Sequence, residues 1–443
     1  MSHQFTRDPL NPLPTAVAGD GCFVIDDEGK RYFDGSSGAA VSSLGHSNER
    51  VKAAVAAQLD AIAFPYSGFF TTTVADELAD RLAVLAPGAL DQIYYVSGGS
   101  ESVEAAIKLA RQFFLERGQP ERTRLIARRQ SYHGNTLGAL AAGGNHARRE
   151  LYFPLLVESS HISPCYEYRG RNDGETSGEY GRRVADELEA EILRLGPETV
   201  MAFLAEPVVG ATLGAVPAVD GYLQRVRAIC DQYGVLLILD EVMCGAGRTG
   251  YMFACEHDGV APDIMCLAKG LGAGYQPIGA MICTAEIHRT IVEGSGVFRH
   301  GHTYQAHPMA AAAGLAVLDE LDEHSLVPRS AEMGLTLEAR LRDRFSDHPH
   351  VGDIRGRGLF WGLEFVADRR SKEPFPADEK VADRLRVVAR HNGLLCYPTS
   401  GTADGVNGDH VILAPPFIVT DSELDMAVDL LARSIDETLA AVA

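Results

Sequence analysis

Two side chains define the chemistry to be explained. The run VLLILDEVMCGAGRTG, residues 235–250, reads as a buried strand that delivers Asp240 at its carboxyl end, and the run IMCLAKG delivers Lys269 at the carboxyl end of the next strand. In open α/β sheets ligands bind outside the carboxyl ends of the strands, so this spacing predicts both side chains in one crevice. An amine and a carboxylate beside one pocket suit pyridoxal phosphate chemistry: the amine forms a Schiff base with the aldehyde, and the acid keeps the pyridine nitrogen protonated. A structural ion pair fits the same two residues, so further parts are needed.

Other strand ends supply them. In VSGGSESVEAAIKLAR, residues 96–111, a strand ends, Gly98 and Gly99 let the backbone approach an anion, and a helix starts near Ser100 with its free amides and dipole facing outward. A strand-to-helix turn that uses glycine only for geometry reads the same way. Ser131-Tyr132-His133-Gly134 follows the strand RLIAR and offers a ring to stack on a pyridine face, or merely a loop aromatic. Glu206 follows the strand MAFL and adds an acid at the same edge. The convergence of cradle, aromatic plate, two acids and lysine carries more than any one of them.

Rival chemistries lack their parts. Gly245-Ala246-Gly247-Arg248-Thr249-Gly250 matches a dinucleotide fingerprint, but it leads into YMFACEHDGVAPD, too short and too Pro-broken for a crossover helix. The next strand then ends in a lysine where a ribose-binding carboxylate belongs. His300, His302 and His307 lie close together, yet no carboxylate or cysteine completes a metal set at ligand spacing, so no metal is expected. The eight cysteines form no C-x-x-C pair, which argues against a zinc site or a disulfide framework and fits a reducing cytoplasm. A net charge of -20 with no basic cluster argues against nucleic acid. The N-terminal residues lack the order of a signal peptide, and no apolar run approaches the ~18 residues of a membrane helix, so neither export nor a membrane is expected.

The elements that must position these residues are short apolar runs alternating with helix-period stretches: 93–96, 125–127, 200–204, 235–239, 264–267 and 278–282, with Val103, Ile107, Ala110 and Phe114 on one intervening helix face. That pattern predicts an α/β fold with a mostly parallel sheet covered by helices on both faces. With 443 residues, one large domain plus a smaller one is expected. A hairpin turning at Asp26-Asp27-Glu28-Gly29, a strand over 359–366, a helix from Asp378 to about Arg390 and a last helix opening with the capping box Thr420-x-x-Glu423 form the smaller domain from both termini. Its segments are residues 1–55 and 326–443, and residues 56–325 form the large domain. The stretches 371–377 and 397–409 read as surface loops.

Taken together, YFDGSSG, SGGSESVEAAIKLAR, SYHG, AEPVVG, LDEVMCGAGRTG, LAKGLGAGYQPIGA, HGHTYQAHP, GRGLFWGLEF and LAPPF make the chain resemble the class III, or omega, aminotransferases over nearly its whole length. The resemblance implies the type I pyridoxal-phosphate fold, with a seven-stranded large-domain sheet. It implies Lys269 as the Schiff-base lysine, Asp240 as partner of the pyridine nitrogen, and Val242 and Tyr132 against opposite ring faces. Gly99 and Ser100 supply phosphate amides, His133 and Glu206 complete the cofactor site, and Thr303 reaches the phosphate of the neighbouring subunit in a homodimer. The implied reaction moves an amino group from an omega-type amine or amino acid to a keto acid such as pyruvate, ping-pong through pyridoxamine phosphate. An aminomutase or a decarboxylating aminotransferase is the alternative, since the shared machinery does not fix the fate of the carbanion. Many relatives grip the substrate carboxylate with an arginine near the Pro-Pro run. No arginine lies between Gly401 and Pro416 here, leaving Arg248 and Arg357 as candidates. Gly38-Ala39-Ala40 and residues 64–70 are expected in the pocket wall.

Overall fold

The structure is a computed structural model and describes residues 3–442. Its central sheet runs in the order Leu90–Val96, Gly279–Thr284, Ile264–Leu267, Leu236–Asp240, Val200–Ala205, Arg124–Arg128, Ser160–Ile162. Neighbouring strands are parallel except where Gly279–Thr284 meets its two neighbours. The reason for the apolar runs is visible in one strand. Successive side chains of a strand point to opposite faces. Leu237 and Leu239 therefore enter the core formed with Val226 and Ile229 of the Tyr222–Tyr233 helix, while Ile238 enters the core formed with Val103, Ala106, Ala110 and Phe113 of the Gly99–Glu116 helix. All three strand residues are completely buried, each contributing about 1.5–3 kcal/mol of apolar transfer. A strand covered on both faces has no polar side to show in its sequence.

The two ends of the chain meet in a smaller sheet. Ala16–Asp20, Phe23–Asp26 and Arg31–Asp34 pair antiparallel, and Leu394–Leu395 adds in parallel with Leu394 opposite Phe33. The expected turn after Asp26 is present: Asp26 Oδ1 accepts from the amides of Glu28 and Lys30 at 3.1 and 2.8 Å. A further sheet runs Val351–Arg357, Phe360–Phe365, Asp409–Leu413, Tyr397–Ser400. The stretch 397–409 is thus only partly a loop. Tyr397–Ser400 pairs antiparallel with Asp409–Leu413, and Pro398 is accommodated because the strand lies at the sheet edge.

The last helix, Asp421–Leu439, has the expected capping box, with Glu423 N donating to Thr420 Oγ1 at 3.3 Å and Thr420 N to Glu423 Oε2 at 2.8 Å. The helix expected from Asp378 begins instead at Val381, because Lys380 sits at φ 50° and separates it from a single 3-10 turn over Ala377–Glu379. The glycines at 245–250 open no helix. They form consecutive turns that run on to a short 3-10 segment at Ala254–Asp258. No helix among the described residues is long and apolar enough to cross a membrane.

Candidate active site

The carboxyl ends of five strands meet at one edge of the large sheet, and Gly99, Ser100, Tyr132, His133, Glu206, Asp240, Val242 and Lys269 line one cavity of about 140 Å³ there. Gly134 and Met243 complete its wall, and neither was picked out from the sequence. A larger cavity of about 620 Å³, lined by Asp353, Arg355 and Arg357 among others, shares none of these residues.

Asp240 is buried, with Oδ2 2.8 Å from His133 Nδ1 and Oδ1 accepting from Val242 N at 3.0 Å. With Nδ1–H donating, the contact fixes the carboxylate's orientation. His133 Nε2 is buried with no protein partner, a polar atom left for something in the cavity. The adjacent acid, Glu241, points to the other side of the strand. Its oxygens accept from Ala254 N and Cys255 N, each at 2.8 Å, anchoring the loop that follows the glycines. Burial pushes its carboxyl up to about 7.

Lys269 opens a 3-10 turn at φ 45°, in the left-handed region. For a residue with a Cβ this costs about 1–2 kcal/mol, a strain that clusters at functional sites. Among the described residues its ammonium makes no hydrogen bond or ion pair. Burial draws its pKa below that of an ordinary lysine, against the opposing pull of Asp240 and Glu206. Glu206 is committed to scaffolding: Oε1 accepts from Tyr132 N and Oε2 from Gly210 N, both at 3.1 Å. Burial raises its pKa, and the charge of Asp240 adds to the rise.

The cradle is built by missing side chains. A Cβ on Gly99 would lie 2.7 Å from Val242 Cγ1, and one on Gly134, at φ 135°, would lie 2.5 Å from Ser100 Oγ. Gly98 caps the Gly99–Glu116 helix with no side-chain acceptor, so the first-turn amides stay free for an anion. Glycines at both positions, a free helix end, a buried carboxylate and an unpaired amine fit pyridoxal phosphate. Gly99→Ala is accordingly expected to displace Val242 and weaken cofactor binding by about tenfold or more, an overpacking cost of about 1–3 kcal/mol. Titration of the apoprotein with pyridoxal phosphate measures it.

Other expected residues lie elsewhere. Thr303 is exposed and outside the cavity of its own chain. Arg248 is not free to hold a substrate: it is 2% exposed, donates to the carbonyls of Leu359 and Pro415 at 3.1 and 2.6 Å, and covers the Phe417 ring. Arg357 lines the other cavity, donates to Ala218 O at 3.1 Å and faces Asp258 at 3.5 Å. Both clamp candidates are thus structural. Ala40 packs in one cluster with Met243, just behind the cavity wall, whereas Phe64, Tyr66, Phe69 and Phe70 are exposed and line none of it.

Residues 6–435 match the family model described as aminotransferase class-III. An uncharacterized aminotransferase of Schizosaccharomyces pombe is 44% identical over 442 residues, covering 100% of this chain and 96% of its own. Among solved structures, a thermostable (S)-enantioselective omega-transaminase from Thermomicrobium roseum is similar with a TM-score of 0.91 at 38% identity, covering 98% of this chain and 96% of that one. The omega transaminase of Pseudomonas jessenii in complex with PMP has a TM-score of 0.93 at 33% identity, covering 100% and 97%.

Proposed function

Because the chain belongs to the class III aminotransferases, which use pyridoxal 5'-phosphate, we propose that it moves an amino group from an omega-type amine or amino acid to a keto acid such as pyruvate. The observation that carries this reading is the placement of Asp240 and the unpaired Lys269 in the wall of one glycine-cradled cavity. The omega-type donor is supported by likeness to the Thermomicrobium roseum transaminase. In this reading the two substrates react in turn, the first product leaving before the acceptor enters.

When bound, the cofactor supplies an electron sink for the pair released as the substrate Cα–H bond breaks. Asp240 would hold a proton at the ring nitrogen, with His133 keeping the carboxylate oriented for it. Lys269 would anchor the cofactor through its aldehyde and, as a free amine, would serve as the base that accepts the proton from the substrate Cα. Val242 and Tyr132 would hold the ring, and the amides of Gly99 and Ser100 would hold the phosphate. Following the cofactor spectrum of the holoenzyme against a panel of amines and amino acids defines the donors. Product analysis then separates transfer from a mutase, which needs no second substrate, and from a decarboxylase, which releases carbon dioxide.

The lowered pKa of Lys269 makes a pH prediction. Only the neutral amine attacks an aldehyde, and burial favours the neutral form. The rate of cofactor attachment to the apoprotein therefore rises with pH and levels off below the ~10.4 of an exposed lysine. A plateau reached only at or above that value would mean that the amine is not desolvated.

The functional unit in this reading is a homodimer in which Thr303 serves the phosphate of the opposite subunit. Its support is an exposed aromatic surface next to that residue: Phe64 packs edge-on to Tyr304 with ring centroids 5.6 Å apart and stacks on His307 at 5.8 Å. Sedimentation of the holoenzyme tests the assembly. Thr303→Ala is expected to weaken cofactor retention although Thr303 lies outside its own chain's cavity.

A further inference from the structure

With Arg248 and Arg357 engaged elsewhere, a keto acid needs another cation to meet its carboxylate. The arginines near the cavity differ in how much of the guanidinium is free. Arg128 is buried and donates to the Glu206 carbonyl. Arg148 lies on the short helix His146–Arg149, where Asn145 Oδ1 accepts from its backbone amide at 3.1 Å. Its guanidinium carbon sits 4.6 Å from the centroid of the Tyr132 ring, a wall of the cavity. Among the described residues the Arg148 guanidinium meets no carboxylate and makes no hydrogen bond, and its nitrogens are not buried. Its charge reaches the Tyr132 phenol, which burial pushes up and Arg148 draws down.

We propose that Arg148 is the residue that grips the substrate carboxylate, presenting its planar fork over the Tyr132 ring at the mouth of the cavity. The proposal rests on the aminotransferase reading and names the substrate class of its second half. A guanidinium matches a carboxylate with two parallel N–H donors, and stacking on a ring already restricts its rotamers, so little freedom is lost on binding. The Gly401–Gly408 connection, which carries no arginine, closes over the same helix: a Cβ on Gly405 would lie 3.9 Å from His146 Cβ. Arg148 supplies the cation that this loop lacks. Arg7, exposed on the N-terminal segment, also acts electrostatically on Tyr132, but no aromatic ring among the described residues stacks it in place.

The test compares holoenzymes of the wild type, R148Q and R7Q. The ratio of kcat/KM for pyruvate to that for acetaldehyde, the same acceptor without its carboxylate, is unaffected by the fraction of enzyme folded. In R148Q it is expected to fall ~10–100-fold, as for a lost charge-assisted hydrogen-bonded pair, and in R7Q to keep the wild-type value. Propanoate, which can bind but not react, gives a second readout that needs no turnover: its dissociation constant, followed by calorimetry, rises by a similar factor in R148Q alone. An unchanged ratio and unchanged propanoate affinity in R148Q, or losses confined to R7Q, would overturn the assignment. If no acceptor turns over in the wild type, the proposed reaction fails by itself, while propanoate binding still decides the role of Arg148.

Discussion

Lys269→Ala is expected to lower amino-group transfer by about a thousand-fold or more, because it removes both the anchor of the aldehyde and the base that moves the proton, the base alone being worth about 10²–10⁴. The loss is chemical and leaves the fold intact. The side chain makes no hydrogen bond or ion pair among the described residues, and its removal relieves the desolvation of an amine. Circular dichroism and a thermal melt should therefore match the wild type while steady-state transfer collapses. A small primary amine added to the variant should restore part of the rate, since a free base can enter the space left by the side chain. A variant that transfers at the wild-type rate would remove Lys269 from the reaction.

Asp240→Asn is expected to cost about 10²–10³-fold in kcat, the range found when one preorganised electrostatic partner is removed from a dry site. A neutral amide cannot hold the ring nitrogen protonated, so the electron sink weakens. Asparagine is close to isosteric, and its carbonyl oxygen still accepts from Val242 N, a bond that spans 3.0 Å in the native protein. Folding and cofactor binding should thus survive. Because the interaction matters when charge develops, kcat and kcat/KM should fall together. Single-turnover rates with a saturating amine make the comparison, and a change of less than about threefold would place the sink elsewhere.

How much of this was legible in the sequence depended on how local the cause was. Leu237-Ile238-Leu239 is apolar on both sides because helices cover both faces, and that signal survives in the sequence. Ser160–Ile162 carries too short and too polar a run, and becomes a strand only because Arg124–Arg128 pairs with it. Tyr397–Ser400 looked like a loop because of Pro398, a residue whose tolerance depends on edge position, which only the sheet reveals. The cavity was legible for a different reason: its residues sit immediately after strands, and parallel strands deliver their carboxyl ends to one edge.

The arginines show the limit. Arg248 lies in a glycine-rich run close to Asp240 in sequence, yet its guanidinium is consumed by carbonyls 111 and 167 residues away. Arg148 gives no comparable signal, since its place over Tyr132 follows from a four-residue helix that no periodicity could announce. In the same way, Asp240 and Glu241 are adjacent acids, and only strand alternation sends the first into the cavity and the second into the scaffold.

The central claim, that Lys269 is the covalent anchor of pyridoxal phosphate, is tested most directly by reducing the cofactor-loaded protein with borohydride and mapping the labelled peptide by mass spectrometry. The account predicts one phosphopyridoxyl group per chain, on the peptide containing Lys269 and lost in Lys269→Ala. Label on another lysine, or none after saturation with the cofactor, would contradict it.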